Sequence, residues 1–164
     1  MRYLVVGARG RLSRVEKFME ALQSEAHSVG LEAQAFDADM VFGKDHILSA
    51  VHHAERAIEE GTNVASSRML EILVYASGER QISTALEKVG LKEGKGRMVI
   101  LALGEGDVNQ LLERLGLERD DSLIEGQREM LPIFGITEEE VETVLPDRVF
   151  DLVLERVALV DIVR

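Results

Sequence analysis

The chain has 164 residues, which is long enough for one domain with a hydrophobic core. Apolar residues make up 46% of it and charged residues 30%, as is typical of a globular protein. It contains no cysteine, which excludes disulfides, thiolate metal sites and cysteine nucleophiles. From this length we expect a single domain over residues 1–164. Because the sequence shows neither a signal-peptide-like segment nor a membrane-length apolar run, we expect a soluble, cytoplasmic protein with no membrane partner.

The net charge of −11 is concentrated in the last third of the chain. Residues 1–43 carry five Lys/Arg and six Asp/Glu, residues 44–97 carry eight of each, and residues 98–164 carry six against 16. An overall field of this sign repels a nucleic-acid backbone, so we do not expect the protein to wrap a long duplex. A limited contact stays possible near the N-terminus, where four arginines cluster, although a solvated rim is the simpler interpretation: Arg2, Arg9, Arg11 and Arg14.

The first half of the sequence predicts two strands and two helices. A short apolar run at residues 3–6 indicates the first strand, and residues 32–36 are expected to form the second. Ser13 and Glu16 have the spacing of a capping box and would open a helix that runs toward His27. Apolar positions at helical spacing predict a second helix over residues 44–60, and Gly61 is placed to end it.

The second half predicts further helices and one strong strand. Ser66 or Ser67 can cap a helix that is apolar on nearly all sides and ends at Gly78, and another helix ends at Gly90. The run MVILAL at residues 98–103 is the clearest strand signal. A short helix capped by Asp107 with Gln110 should follow, ending at Gly116.

The remaining C-terminal segment predicts a loop and two more helices. The acidic stretch 118–129 is expected to be a loop, Thr137 and Glu140 form a second capping box, and residues 147–163 resemble a long final helix. The fold class is therefore α+β, with a small mixed sheet of three to four strands surrounded by about seven helices. The element order does not repeat as βαβ, which disfavours a doubly wound fold.

No pattern specific to an enzyme or a metal site is present. Gly7 and Gly10 lie between a strand and a helix, but the segment lacks the glycine spacing of a dinucleotide or phosphate loop. His46 and His53 could share a helical face, yet no H-E-x-x-H spacing accompanies them, so we interpret His53 and its neighbour His52 as helix-surface residues. No serine has the G-x-S-x-G context of a nucleophile. We expect no catalytic residue, no metal and no cofactor.

Residues 63–90 are the most informative segment and predict a binding surface. The apolar helix has a polar cluster at each end, and Arg80 and Gln81 come at the start of the next helix. Free helix amides, the helix dipole and a guanidinium together favour a phosphate or a few nucleotides, whose base edges Asn63 and Gln81 could contact. From local chemistry alone, loop caps and a surface arginine are the simpler interpretation.

Three runs of the sequence resemble the TPRKB/CGI-type accessory subunit of the KEOPS complex. They are FDADMVFGKDHILSAV at residues 36–51, EILVYASGERQI at 71–82 and LERVALVD at 154–161. The most specific part is E-x-L-x-Y-x-S-G-x-R-Q-I, which this chain matches without departure. The first strand and residues 118–135 match only loosely, which leaves their roles open.

The resemblance implies a non-catalytic subunit of the machinery that makes threonylcarbamoyladenosine in tRNA. Such a subunit binds and supports the atypical kinase/ATPase subunit and, in archaeal members, helps to recruit tRNA through its 3′ CCA tail. A three-nucleotide tail needs few phosphate contacts, which is compatible with a net charge of −11. The candidate RNA-binding residues carried over to this chain are Asn63, Ser66, Arg80, Gln81 and Lys88.

The final helix has more apolar positions than one core-facing stripe uses, so the surplus is expected to contact the kinase partner. The candidates are Val149, Leu152, Leu159 and Ile162. Burial of this helix within its own domain is the other interpretation. Two further functions stay open: a stand-alone module that binds single-stranded RNA ends, and a nucleotide-using enzyme built on the turn at residues 7–10.

Overall fold

The strands form one four-stranded antiparallel sheet in a computed structural model that describes residues 2–162. They are β1 (Tyr3–Arg9), β2 (Leu31–Asp37), β3 (Arg97–Gly104) and β4 (Glu118–Arg119), in the spatial order β2-β3-β1-β4. β3 pairs with β1 from Arg97 opposite Arg9 to Leu103 opposite Tyr3, and with β2 on its other side. Residues 98–103 are buried on both faces, which explains why this strand is continuously apolar.

Seven α-helices lie within residues 2–162: α1 (Val15–Ser28), α2 (Lys44–Glu60), α3 (Arg68–Ser77), α4 (Ile82–Val89), α5 (Val108–Arg114), α6 (Glu138–Glu142) and α7 (Asp151–Leu159). Short 3₁₀ segments follow β2 and β4 and precede α6 and α7. None of these helices is both long enough and apolar enough to cross a membrane.

The contacts divide the chain into two compact units. The sheet unit comprises Met1–Asp39 and Gly90–Ile124, and the helical unit comprises Met40–Val89 and Glu125–Arg164. In the sheet unit, α1 and α5 bury Leu22, Ala26 and Leu111 against one face of the sheet. In the helical unit, α2, α4 and α7 all contact α3 or one another. The expectation of one domain over residues 1–164 stays a prediction.

The fold class and the number of strands were predicted correctly. The expectation of a mixed sheet was wrong, because all pairings between the described strands are antiparallel. The helices over residues 44–60 and before Gly78 and Gly90 are confirmed. The second capping box is present, since Thr137 accepts from the Glu140 amide and Glu140 reaches back to Thr137.

Three local predictions were wrong. α1 begins after Arg14 with no side-chain cap, so Ser13 and Glu16 do not form a capping box. Part of the expected loop 118–129 is β4, which pairs with the end of β1. The final helix is only nine residues long, because a 3₁₀ turn at Pro146–Arg148 precedes it and residues 160–162 form a turn. Val163, the predicted end of that helix, lies outside the described residues.

Candidate functional site

The helix α3 is the buried centre of the helical unit. Residues 71–77 are all buried, as the all-round apolar pattern predicted. Ser67 caps the helix by accepting a hydrogen bond from the Leu70 amide at 3.2 Å. Gly78 ends it with φ 72°, a left-handed conformation that glycine adopts without strain. The polar clusters before and after α3 are therefore held at fixed positions.

The loop before α3 is fixed by a buried carboxylate. Glu71 is 1% exposed and accepts hydrogen bonds from the amides of Val64, at 3.1 Å, and Ala65, at 2.9 Å. Asn63 donates from its side-chain amide to the Ala65 carbonyl at 2.9 Å. Asn63 and Ser66 both stay exposed on this loop. This role of Glu71 was missed in the sequence analysis, although Glu71 is the first residue of the motif E-x-L-x-Y-x-S-G-x-R-Q-I.

The turn after α3 is equally well ordered. The Ser77 hydroxyl donates to the Val74 carbonyl at 2.6 Å and accepts from the Glu79 amide at 3.0 Å. Arg80 is half-buried with its Nε enclosed, whereas Gln81 is exposed at the start of α4. A small cavity is lined by Arg80 together with Val64 and Glu71. The two polar clusters thus border one cavity, which the sequence alone could not establish.

Lys88 is held inward rather than presented to solvent. Its ammonium lies 3.3 Å from a carboxylate oxygen of Glu79 and 4.2 Å from the centre of the Phe134 ring. Burial lowers the pKa of Lys88, and the negative charge of Glu79 opposes that shift. Of the five predicted RNA-binding residues, Asn63, Ser66 and Gln81 are the exposed ones.

His46 is a structural residue inside an aromatic cluster. Its Nδ1 accepts from the Phe42 amide at 3.1 Å and its Nε2 donates to the Ala76 carbonyl at 2.8 Å. Phe42 and Phe134 pack around the ring. Burial lowers the pKa of His46 to about 4, so the ring is neutral near pH 7. Within residues 2–162 no group of three or more His, Asp or Glu side chains could hold a metal ion.

A second histidine, His53, contacts the segment that follows α7. Asp161 accepts from the Tyr75 hydroxyl and lies 2.8 Å from Nδ1 of His53, whose ring stacks on Tyr75 with the centroids 5.7 Å apart. We call these three residues the C-terminal latch. His53 is therefore half-buried and bonded, unlike the exposed His52, and its prediction as a plain surface residue was wrong.

The predicted partner residues divide into two groups. Val149, which precedes α7, and Leu152, on the face by which α7 packs on its own unit, are both buried. Leu159 is 40% exposed and Ile162 is 74% exposed, one on each side of the latch residue Asp161. The surplus apolar surface therefore lies at the end of α7 and not along its length.

The predicted turn at residues 7–10 was wrong, because residues 7–9 continue β1 and pair with β3. The Gly7 amide donates to Asp121 at 3.1 Å, and a Cβ at Gly7 would overlap the Asp120 carbonyl oxygen. Gly10 donates its amide to Gly96 at 2.9 Å. Close backbone packing in the sheet unit thus requires glycine at position 7, which accounts for Gly7 without a bound nucleotide.

The comparison with known families covers nearly the whole chain. The family model of the kinase-binding protein CGI-121 matches residues 14–161. This chain belongs to the CGI-121 family. It is 31% identical over 148 residues to a protein of Methanocaldococcus jannaschii named regulatory protein Cgi121, a match that covers 86% of this chain and 91% of the relative.

Membership of the CGI-121 family confirms the resemblance that the motif E-x-L-x-Y-x-S-G-x-R-Q-I indicated. The matched range includes the loop before α3, the turn after it and the latch residue Asp161. The roles of individual residues in binding RNA or a partner stay predictions.

Proposed function

We propose that this CGI-121 family protein is a non-catalytic, cytoplasmic subunit of the KEOPS complex. In this role it binds the atypical kinase/ATPase subunit, supports the activity of that subunit and helps to recruit tRNA through its 3′ CCA end for threonylcarbamoyladenosine formation. The observation that carries the proposal is the match to a kinase-binding family over residues 14–161.

The end of α7 supports a protein contact. Leu159 and Ile162 expose apolar side chains on a segment that the latch holds in place. A rigid apolar surface loses little conformational entropy on binding, which favours affinity. We therefore assign Leu159 and Ile162 to the kinase contact and treat Val149 and Leu152 as the packing that supports it.

The neighbourhood of α3 supports contact with an RNA end. Asn63, Ser66 and Gln81 present amide and hydroxyl groups that suit unpaired base edges, beside the half-buried Arg80. The loop is ordered before any ligand arrives, because Glu71 already holds two of its amides. A short single strand is the ligand that such a small, mainly neutral polar surface fits best.

The RNA role is tested by measuring the affinity for one tRNA with and without its CCA end. We expect removal of CCA to weaken binding at least about tenfold, on the basis of a few kcal/mol from base contacts. Gln81→Ala should weaken binding of intact tRNA but not of tRNA without CCA, because Gln81 is expected to contact the CCA end. Since Gln81 is exposed, its loss should leave the fold unchanged. Gln23→Ala, an exposed glutamine on α1, is the matched control. Equal affinity for both tRNAs would refute the CCA contact.

The regulatory role is tested by reconstitution with the catalytic and kinase subunits. Addition of this chain should raise the rate of tRNA modification, and Arg80→Ala should reduce that gain. Because Arg80 is half-buried, its variant must first match the wild type in thermal unfolding. A rate that is unchanged by the chain would contradict the proposal.

A further inference from the structure

The structure separates the N-terminal arginines into paired and unpaired groups. Arg2 donates to the Gly106 carbonyl at 3.0 Å, and Arg9 forms an ion pair with Asp120. The side chains of Arg11 and Arg14 form no hydrogen bond or ion pair within residues 2–162, and the same holds for Lys17. Three cations are thus left unneutralised in a chain whose net charge is −11.

These three cations line one open groove in the sheet unit. The groove has a volume of about 360 Å³ and is completed by Ser13, the buried Leu12 and the half-buried ring of Phe18. The loop that contains Leu12 is held in place by a backbone hydrogen bond, because the Leu12 carbonyl accepts from the Gly94 amide at 2.8 Å. The cations therefore project from an ordered scaffold.

The composition of the groove determines the ligand chemistry. Residues 9–18 contain four Lys/Arg and a single carboxylate, Glu16, which does not line the groove. Several separated cations match a chain of phosphates better than one isolated anion, and an aromatic face offers stacking to a base. We propose that the groove of Arg11, Arg14, Lys17 and Phe18 binds the phosphodiester backbone of single-stranded RNA, with one base against Phe18. This contact is additional to the one proposed for the CCA end and involves none of its residues.

The probe is a fluorescently labelled 12-nucleotide oligouridylate, which has no CCA end. Its anisotropy on titration with the full chain gives the affinity at several salt concentrations. The variant Arg11→Glu/Arg14→Glu should bind at least about tenfold more weakly. Its salt dependence should also be shallower by about 1.4 in the slope of log K against log salt, since each lost phosphate contact removes about 0.7.

The matched control is Arg56→Glu/Arg128→Glu. Both arginines are exposed and form no side-chain hydrogen bond or ion pair within residues 2–162, so this variant changes the net charge by the same four units. It should keep the affinity within about threefold of wild type, as expected for exposed charges that do not line the groove and are screened by salt. Equal weakening by the two double variants would overturn the proposal, because it would show that the affinity depends on the net charge of the protein and not on the groove.

Phe18→Leu separates RNA from other polyanions. It keeps an apolar side chain in the groove and removes the stacking face, so the affinity for oligouridylate should fall about fivefold or more. Inorganic polyphosphate of equal charge should bind more weakly than the RNA. Polyphosphate binding that is equal or tighter, together with no effect of Phe18→Leu, would refute the RNA assignment. Gln81→Ala should leave oligouridylate binding intact, which separates failure here from failure of the CCA contact.

Discussion

The helical unit and the sheet unit differ in how much apolar surface they expose. Within residues 2–162, every large apolar side chain that is well exposed belongs to the helical unit: Val64, Leu86, Ile133, Leu145, Leu159 and Ile162. The sheet unit has none among its described residues. Because exposed apolar patches mark contact sites, we expect the helical unit to carry the surface that binds a protein partner.

The two units also differ in charge. The sheet unit carries ten Lys/Arg against 13 Asp/Glu, and the helical unit carries nine against 17. Its excess of carboxylates makes most of the helical unit unsuitable for a long phosphate backbone. The unpaired cations of Arg11, Arg14 and Lys17 belong to the sheet unit instead. Protein contact and backbone contact are thus expected on different units.

The largest effect is expected at Glu71. Glu71→Ala removes the acceptor of two loop amides, the buried amide of Ala65 and the part-buried amide of Val64, so the free energy of unfolding should fall by about 4 kcal/mol. Glu87→Ala, at an exposed site on α4, is the control and should change it by less than about 0.5 kcal/mol. Urea unfolding of both variants checks this. Similar losses in the two would show that Glu71 does not hold the loop.

The next effect is a pH dependence due to His46. Burial lowers the pKa of His46 from its ordinary value of 6.5 to about 4 in the folded protein, so the unfolded state binds the extra proton first. The free energy of unfolding should therefore fall by about 3 kcal/mol as the pH drops from 7 to 4. Urea unfolding at several pH values in wild type and His46→Gln measures this contribution. An equal pH dependence in both would contradict it.

A smaller effect is expected at the C-terminal latch. Tyr75→Phe removes the hydroxyl that donates to Asp161, which should lower the free energy of unfolding by about 1.5 kcal/mol. A double-mutant cycle with Asp161→Asn should show coupling between the two side chains. If the two losses are simply additive, the latch does not position the end of α7.

The smallest effects are expected at two exposed helix caps, one in each unit. Ser67→Ala and Asp107→Ala each remove a side-chain acceptor at the start of a helix, which should cost about 1 kcal/mol in both cases. Similar losses of stability in the two variants, measured by thermal unfolding, would indicate that the units differ in their exposed surfaces and not in the stability of their local structure. A loss confined to one unit would contradict that view.

Local signals of the sequence predicted most of the elements. Gly61, Gly78 and the Thr137–Glu140 pair marked helix ends correctly, because caps depend on residues close in sequence. The strand β4 was missed, since two residues carry no periodic pattern. The hydrogen bond between Tyr75 and Asp161 joins residues 86 positions apart, and no local pattern predicts such a contact.

The candidate site was predicted in part. The motif identified the turn after α3 and its exposed Gln81, but not the inward position of Lys88, which depends on Glu79 and Phe134. The apolar pattern of the final helix predicted excess apolar surface without separating the buried Leu152 from the exposed Leu159. That distinction depends on tertiary packing.

The most direct test of the central claim is the affinity of the full chain for the purified kinase/ATPase subunit, measured by calorimetry. The account predicts that Leu159→Glu/Ile162→Glu weakens binding at least about 30-fold, as expected when a charge replaces a buried apolar contact. Leu145→Glu, which alters a leucine that is 69% exposed but lies outside that surface, should bind as the wild type does. Wild-type affinity in the double variant would contradict the assignment of the partner surface, and absence of any binding by the wild type would contradict the proposed function.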